Sequence, residues 1–325
     1  MRTARNFVAV GCVLSLLGCS PLKVAMTPGG GKVVAGTRFE VSVTASTGCG
    51  GATVVGAYTG QCVGGRTTKP DIKKIEASPP LIVVDEGSFR INKAELYADA
   101  TGSVDLTVVV QEGVTLGETT VPFEVVDPDT ITFSPACGGA SVTPEGAHLV
   151  LTSAAVYYSL TVKHGGESLG ALAYDRLVAS AGSLAVGQRY GSGSYAPSTF
   201  RAPGTAGRVT LSAPKTPSFS ALFDVIERRA ITELAATGAA PYDCKNGLLQ
   251  TRPRAGSLEL CSGHLEYTLT TLTPDVCRFG NALTESRRGD PGLAQTVTKV
   301  AAGVCRIRVD QADSSLSETV VFDMC

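Results

Sequence analysis

One strand-like segment recurs three times in this chain at almost constant spacing. Phe123-Glu124-Val125-Val126, Phe223-Asp224-Val225-Ile226 and Phe322-Asp323-Met324-Cys325 start 100 and 99 residues apart. Ahead of each lies a second recurring segment, led by Gly102, Gly207 or Gly303. After that glycine, apolar residues occupy every second position: Val104, Leu106 and Val108; Val209, Leu211 and Ala213; Cys305, Ile307 and Val309. A period of two belongs to a strand with one buried face, so the repeat limits the chain to short strands in packed sheets.

The fronts of the three units suggest a further correspondence. Gly36-Thr37 opens an alternating strand through Phe39, Val41 and Val43. Gly146 leads Leu149 and Leu151, and Gly256 leads Leu258 and Leu260 with a one-residue shift. Turns rich in Gly, Pro, Asn and Asp separate the strands, and each unit of about 100 residues has the profile of a β-sandwich. Boundaries fall near Asp127-Pro128 and Glu227-Arg228. This gives sandwiches at 19–127, 128–227 and 228–325, the last rich in cysteine.

The first residues have a different character. Arg2 and Arg5 precede an apolar run from Phe7 to Leu17, which is too short to span a bilayer. Leu16-Leu17-Gly18-Cys19 follows and resembles the lipobox of bacterial lipoprotein signals. The resemblance implies a signal peptide at 1–18, cleavage before Cys19 and lipid on its thiol. Membrane contact would then run through that lipid. Ser20 stands where the family's sorting rule has an Asp for inner-membrane retention, so the implied location is the cell envelope, as an outer-membrane lipoprotein that is periplasmic or surface-exposed.

The body of the chain resembles bacterial immunoglobulin-like (Big-type) domains. The residues that carry the likeness are Leu22 to Pro28 with Gly36-Thr37, and Ala202-Pro203 followed by the Gly207-led strand. The resemblance implies an all-β chain, with three tandem immunoglobulin-like sandwiches after the signal peptide. Such domains serve many roles, so the fold alone assigns none.

Of ten cysteines, Cys12 leaves with the signal and Cys19 takes the lipid. The other eight lie in an exported, oxidising setting, where disulfides are expected. Cys49 and Cys62 enclose a Gly-rich segment and suggest a local bridge. Cys277 and Cys305 are candidates in the third unit, where Cys305 takes the buried place of Val104 and Val209. Cys261 competes for that pairing through the inter-sheet bridge that the immunoglobulin resemblance implies. Cys325 and Cys244 lie on strands that can be neighbours. Cys137 has no partner in its own unit and is expected to bridge to another unit, to pair with a second chain or to stay free.

Catalytic and metal-binding patterns are absent from the sequence. There is no CxxC, and the three histidines, His148, His164 and His264, have no second His three or four residues away, so no zinc site is expected. Gly191-Ser192-Gly193-Ser194-Tyr195 departs from a nucleophile elbow at its last position. Asp127 and Asp129 flank Pro128 and supply too few oxygens for calcium, so turn capping is the expectation. A net charge of −1 with no basic face excludes nucleic acid as a partner. Tyr190 and Tyr195, at the ends of a Gly-Ser segment, form the most binding-like stretch. The chain has no Trp for stacking on sugars. The expected function is a non-enzymatic envelope lipoprotein without cofactor, acting as a spacer, adhesion or structural module. The alternative is a module that binds envelope or extracellular polysaccharide, or a protein.

Overall fold

The computed structural model describes residues 23–27, 30–47, 66–137, 140, 142–169, 173–187, 189–190, 194–195, 197–239, 246–263, 265–289, 294–312 and 314–324. The described residues form strands joined by turns, with two single turns of 3-10 helix, at Glu86–Ser88 and Arg228–Ala230. The chain divides into two compact units. One ends at Asp127 and the other begins at Pro128.

The first unit contains β1 (Lys23–Thr27), β2 (Gly31–Val34), β3 (Thr37–Thr47), β4 (Arg66–Thr68), β5 (Asp71–Ser78), β6 (Ile82–Val84), β7 (Lys93–Ala98), β8 (Gly102–Glu112) and β9 (Thr115–Val126). One sheet runs β1-β3-β7-β6, with β4 paired to β3, and the other runs β2-β9-β8-β5. This is the immunoglobulin arrangement, including the first-strand switch: β1 pairs antiparallel to β3, and β2 then crosses to lie parallel to β9. The alternation read in the sequence places Val104, Leu106, Val108 and Val110 of β8 in the core, between exposed or half-buried neighbours. Gly102 takes φ +142°, a backbone state that side chains rarely adopt, and a Cβ there would lie 2.8 Å from Leu81.

The second unit contains two sandwiches. The middle one uses β10 (Thr130–Pro135), β11 (Ala147–Leu151), β12 (Ala155–His164), β13 (Glu167–Ser168), β14 (Ala173–Tyr174), β15 (Val178–Ala179), β16 (Ser183–Ala185), β17 (Arg189–Tyr190), β18 (Ser194–Tyr195), β19 (Ser198–Arg201), β20 (Gly207–Ser212) and β21 (Ser220–Ile226). Its sheets are β10-β12-β19-β16 and β15-β20-β21-β11, again with β11 parallel to β21. Phe223 is the hub of its core, stacked on Phe200 at 4.7 Å and edge-on to Phe133 at 5.9 Å between ring centroids.

The last sandwich uses β22 (Glu233–Ala239), β23 (Asn246–Ala255), β24 (Leu258–Ser262), β25 (Leu265–Thr271), β26 (Cys277–Arg278), β27 (Thr284–Gly289), β28 (Ala294–Lys299), β29 (Gly303–Gln311) and β30 (Ser317–Met324). One sheet runs β27-β25-β29-β30. The other, with β22, β23, β28 and β26, does not end at its own edge: β24 pairs in parallel with β11, so the sheets of the middle and last sandwiches form one continuous sheet.

That pairing explains the composition of β11. Leu149 and Leu151 belong to the core of the last sandwich, while His148 and Phe223 stack in the middle one. A strand buried on both faces reads as a continuous apolar run rather than an alternating one.

The closing strands agree with the sequence repeat, and the fronts do not. Gly36 leads β3, the second strand of its sandwich. Gly146 leads β11, the counterpart of β2, and Gly256 leads β24, an added strand after β23. The expected correspondence of these three segments is therefore corrected. Their apolar spacing reflects burial, which β11 and β24 acquire from each other at the seam.

Phe223→Ala removes the hub of a core that has no slack around it, since Phe200 and Phe223 are both fully buried. Denaturant unfolding followed by circular dichroism should show a loss of about 3–5 kcal/mol.

Candidate functional site

The described residues hold one close cluster of soft and nitrogen ligands: Cys137, His148 and Cys261, with ligand atoms within 4.8 Å of one another. Local structure brings them together. Cys137 lies just past the end of β10, where its N–H donates to the Pro135 carbonyl. His148 faces the middle core from β11, half-buried against Phe223 with 5.8 Å between ring centroids. On β24, Leu260 points into the core of the last sandwich, so Cys261 points the other way, towards Cys137.

Cys137 and Cys261 are joined by a disulfide, with a Cα separation of 4.4 Å and a sequence separation of 124. His148 Nδ1 lies 3.7 Å from the Cys137 sulfur. With the sulfurs bonded to each other, neither offers the thiolate that a metal would need. In this state the cluster is a covalent staple across the seam. Ser262 reinforces it by donating from Oγ to the Ala155 carbonyl at 2.6 Å. Gly263, at φ +157°, leaves its Cβ position to Leu151, whose side chain would lie 2.6 Å away. Burial lowers the His148 pKa below its ordinary 6.5.

A second disulfide, Cys277–Cys305, has a Cα separation of 5.7 Å and ties β26 of one sheet to β29 of the facing sheet. Cys305 is fully buried, in the register position of Val104 and Val209. The competing assignment of Cys261 to this bridge is corrected. Cys261 is buried on β24, an added strand, and its alternation turns it away from the last core and towards Cys137. Cys19, Cys49, Cys62, Cys244 and Cys325 lie outside the described residues, as do His264 and the centre of the Gly-Ser segment. Tyr190 and Tyr195 lie on β17 and β18, which pair as a hairpin with Tyr190 opposite Ser194 and Arg189 opposite Tyr195. Asp129 caps a turn by accepting from the Gly165 N–H at 2.6 Å, which holds its pKa below the usual carboxylate range.

The sequence reading missed the proximity of His148 to the bridge. His148 is 11 residues from Cys137 along the chain, and only the crossing of β11 to the opposite sheet closes that distance. The near-continuous apolar run after His148 was the available signal of a strand buried on both sides.

No protein-family model matches the chain, and no curated protein matches it. Among solved structures, it is similar to the adhesin InvE of Yersinia pseudotuberculosis, at 15% identity and a TM-score of 0.25, over 60% of this chain and 58% of that one. It is also similar to domains 5-6 of the S-layer protein SbsC, at 12% identity and a TM-score of 0.28, over 63% of this chain and 97% of that one. A third likeness is to invasin, a bacterial integrin-binding protein, at 15% identity and a TM-score of 0.21, over 92% of this chain and 59% of that one. The chain thus spans little more than half of InvE and invasin. Scores this low carry no functional weight, and the fold stands on the strand pairing above.

Two outcomes follow from the cluster. The Cys137→Ser/Cys261→Ser double variant should lose roughly 2–5 kcal/mol, read as a lower urea midpoint and faster proteolysis of residues 128–325. Because His148 protonates less readily when folded than when unfolded, its contribution is fully present above about pH 6.5 and is lost as pH falls below that value. His148→Gln should flatten this part of the acid limb in a series of thermal melts against pH.

Proposed function

We propose that this chain is a lipid-anchored, non-enzymatic module of the bacterial cell envelope. It would act as a spacer or adhesion element held by lipid on Cys19, with an outer-membrane location favoured by Ser20. The lipobox order at Leu16 to Cys19 supports the anchor. Big-type identity and the division at 19–127, 128–227 and 228–325 belong to the same proposal.

The observation that carries the spacer role is the path of the chain. In the first unit it enters β1 at the end of the sandwich where β3 stops, and leaves β9 at the opposite end, beside the start of β8. The middle sandwich repeats this path: Thr130 of β10 pairs at the end of β12, and Ile226 closes β21 beside Leu151. Strands that enter at one end and leave at the other transmit length. The shared sheet and the Cys137–Cys261 bridge stiffen the middle and last sandwiches. The sulfurs of the one Cys/His cluster among the described residues serve that bridge, which favours a structural role over a chemical one.

A second reading, binding of envelope polysaccharide or of a protein, rests on the β17–β18 hairpin that carries Tyr190 and Tyr195.

The anchor is tested by metabolic labelling with a fatty acid. The full chain should take up label and fractionate with membranes, whereas Cys19→Ala should lose label and either keep its signal peptide or appear in the soluble fraction. Mature, unlabelled Cys19→Ala protein that still sediments with membranes would overturn the reading.

A further inference from the structure

The first sandwich exposes large apolar side chains at one of its ends. β8 and β9 are joined by the two-residue turn Gly113-Val114, with Glu112 paired to Thr115. Gly113 takes φ +59°, which suits glycine at the first position of a tight hairpin turn. Val114 is 99% exposed, Leu116 is 65% exposed, and Ile91, in the turn between β6 and β7, is 67% exposed. Isolated exposed apolar residues are ordinary. Here three converge on one end, and the apex residue contributes nothing to packing.

The hairpin tip is held in place. Gln111 donates from Nε2 to the Gly113 carbonyl at 2.7 Å. Thr68 on β4 donates from Oγ1 to the Glu112 carboxylate, with the Ala45 carbonyl 3.2 Å from the same oxygen, tying the root of the hairpin to the facing sheet. A braced, fully exposed valine suits a contact made with something outside the chain.

Strand register identifies that end. Lys23, the first residue of β1, pairs with Ser46 near the end of β3. β7 begins there, since Lys93 pairs with Ser42, and β8 ends and β9 begins there with the turn. The chain therefore emerges towards Cys19 from the end that carries Ile91, Val114 and Leu116. Lys23 lies four positions after Cys19, and four residues reach at most about 14 Å when extended. A lipid on Cys19 would keep this end within that distance of the bilayer.

We infer that the β8–β9 hairpin tip, with Val114 at its apex, Leu116 beside it and Ile91 on the neighbouring turn, contacts the lipid surface and seats the first sandwich end-on against the membrane. The inference rests on the anchor proposed for Cys19. Apolar side chains gain by leaving water at the boundary between headgroups and acyl chains, and a lipid-tethered domain needs little such gain to hold one orientation.

The chain contains no tryptophan, so one introduced indole reports its own surroundings. The full lipidated protein carrying Val114→Trp would be reconstituted into phosphatidylcholine vesicles with and without brominated acyl chains. The comparison variant is Thr101→Trp, at an exposed position beside the start of β8 at the opposite end. The expected result is a blue-shifted emission for Val114→Trp and at least twofold stronger quenching by bromolipid than for Thr101→Trp. Protein that floats with the vesicles but shows equal, weak quenching at both positions overturns the seating and leaves the anchor intact. Protein that does not float with the vesicles overturns the anchor, and the seating with it.

Discussion

In each sandwich the glycine that starts the penultimate strand lies opposite the residue two positions after the recurring phenylalanine of the last strand. Gly102 faces Val125, Gly207 faces Val225 and Gly303 faces Met324. The three glycines share one unusual backbone state, with φ values of 142°, 150° and 145°. Two residues on, Val104, Val209 and Cys305 lie opposite Phe123, Phe223 and Phe322, and all six side chains are buried. A one-residue slip would turn every apolar side chain of the pair towards water, so the glycine and the phenylalanine fix the register together. The other strands take their places around this pair. In the first two sandwiches β2 and β11 dock in parallel on the last strand, and β5, β15 and β25 flank the pair on its other side in the three sandwiches.

The last sandwich keeps that pair and changes its surroundings. Among its described residues it has no strand equivalent to β2 or β11, and β22 instead packs over β30, so closely that a Cβ on Gly238 would run into the Phe322 ring. It adds β24, which pairs with β23 of its own sandwich on one side and with β11 of the middle one on the other. It also adds β27, which covers the free edge of β25. Both additions deal with strand edges, which are open to unwanted pairing unless covered. The first closes an edge by joining two sandwiches, the second by a strand of the same sandwich.

These differences mark the limit of what the sequence conveyed. Period-two alternation revealed the closing strands, because those strands have one wet face and one dry face and sit at a constant distance from each other. It also revealed the all-β class and placed a cysteine in the core position at 305. It did not reveal pairing partners. Gly146 and Gly256 looked like the leader of β3, although β11 is a parallel edge partner and β24 an inter-sandwich strand, because a spacing of apolar residues reports burial and not what lies on the other side. The site was legible only in part for the same reason. Cys137, with no partner in its own unit, left a bond to another unit open as one of three outcomes, yet the choice of Cys261 depends on β24 turning its alternate face to the seam. The exposed tip at Val114 broke no sequence pattern at all: a valine after a glycine in a hairpin is unremarkable until its neighbours are seen to be absent.

The seam has a thermodynamic consequence. β11 presents Leu149 and Leu151 to the last core, while its other face, with His148 and Val150, is turned to the middle one, so neither core is complete without this strand. Melting the last sandwich alone would expose the two leucines and free β24, leaving β11 with one dry face and one wet face that its sequence does not suit. The two bridges act on different parts of this coupling. Cys277–Cys305 closes 28 residues within one sandwich, whereas Cys137–Cys261 closes 124 across two. The loop-closure term grows only logarithmically with length, so the longer bridge restricts the unfolded chain by only a little more than the shorter one. Its distinctive effect lies in the partly unfolded states. While it is intact, β24 stays tied to the end of β10, and any opening of the seam must carry that end with it. The middle and last sandwiches are therefore bound to open together, by shared apolar surface and by a covalent bond placed where that surface meets.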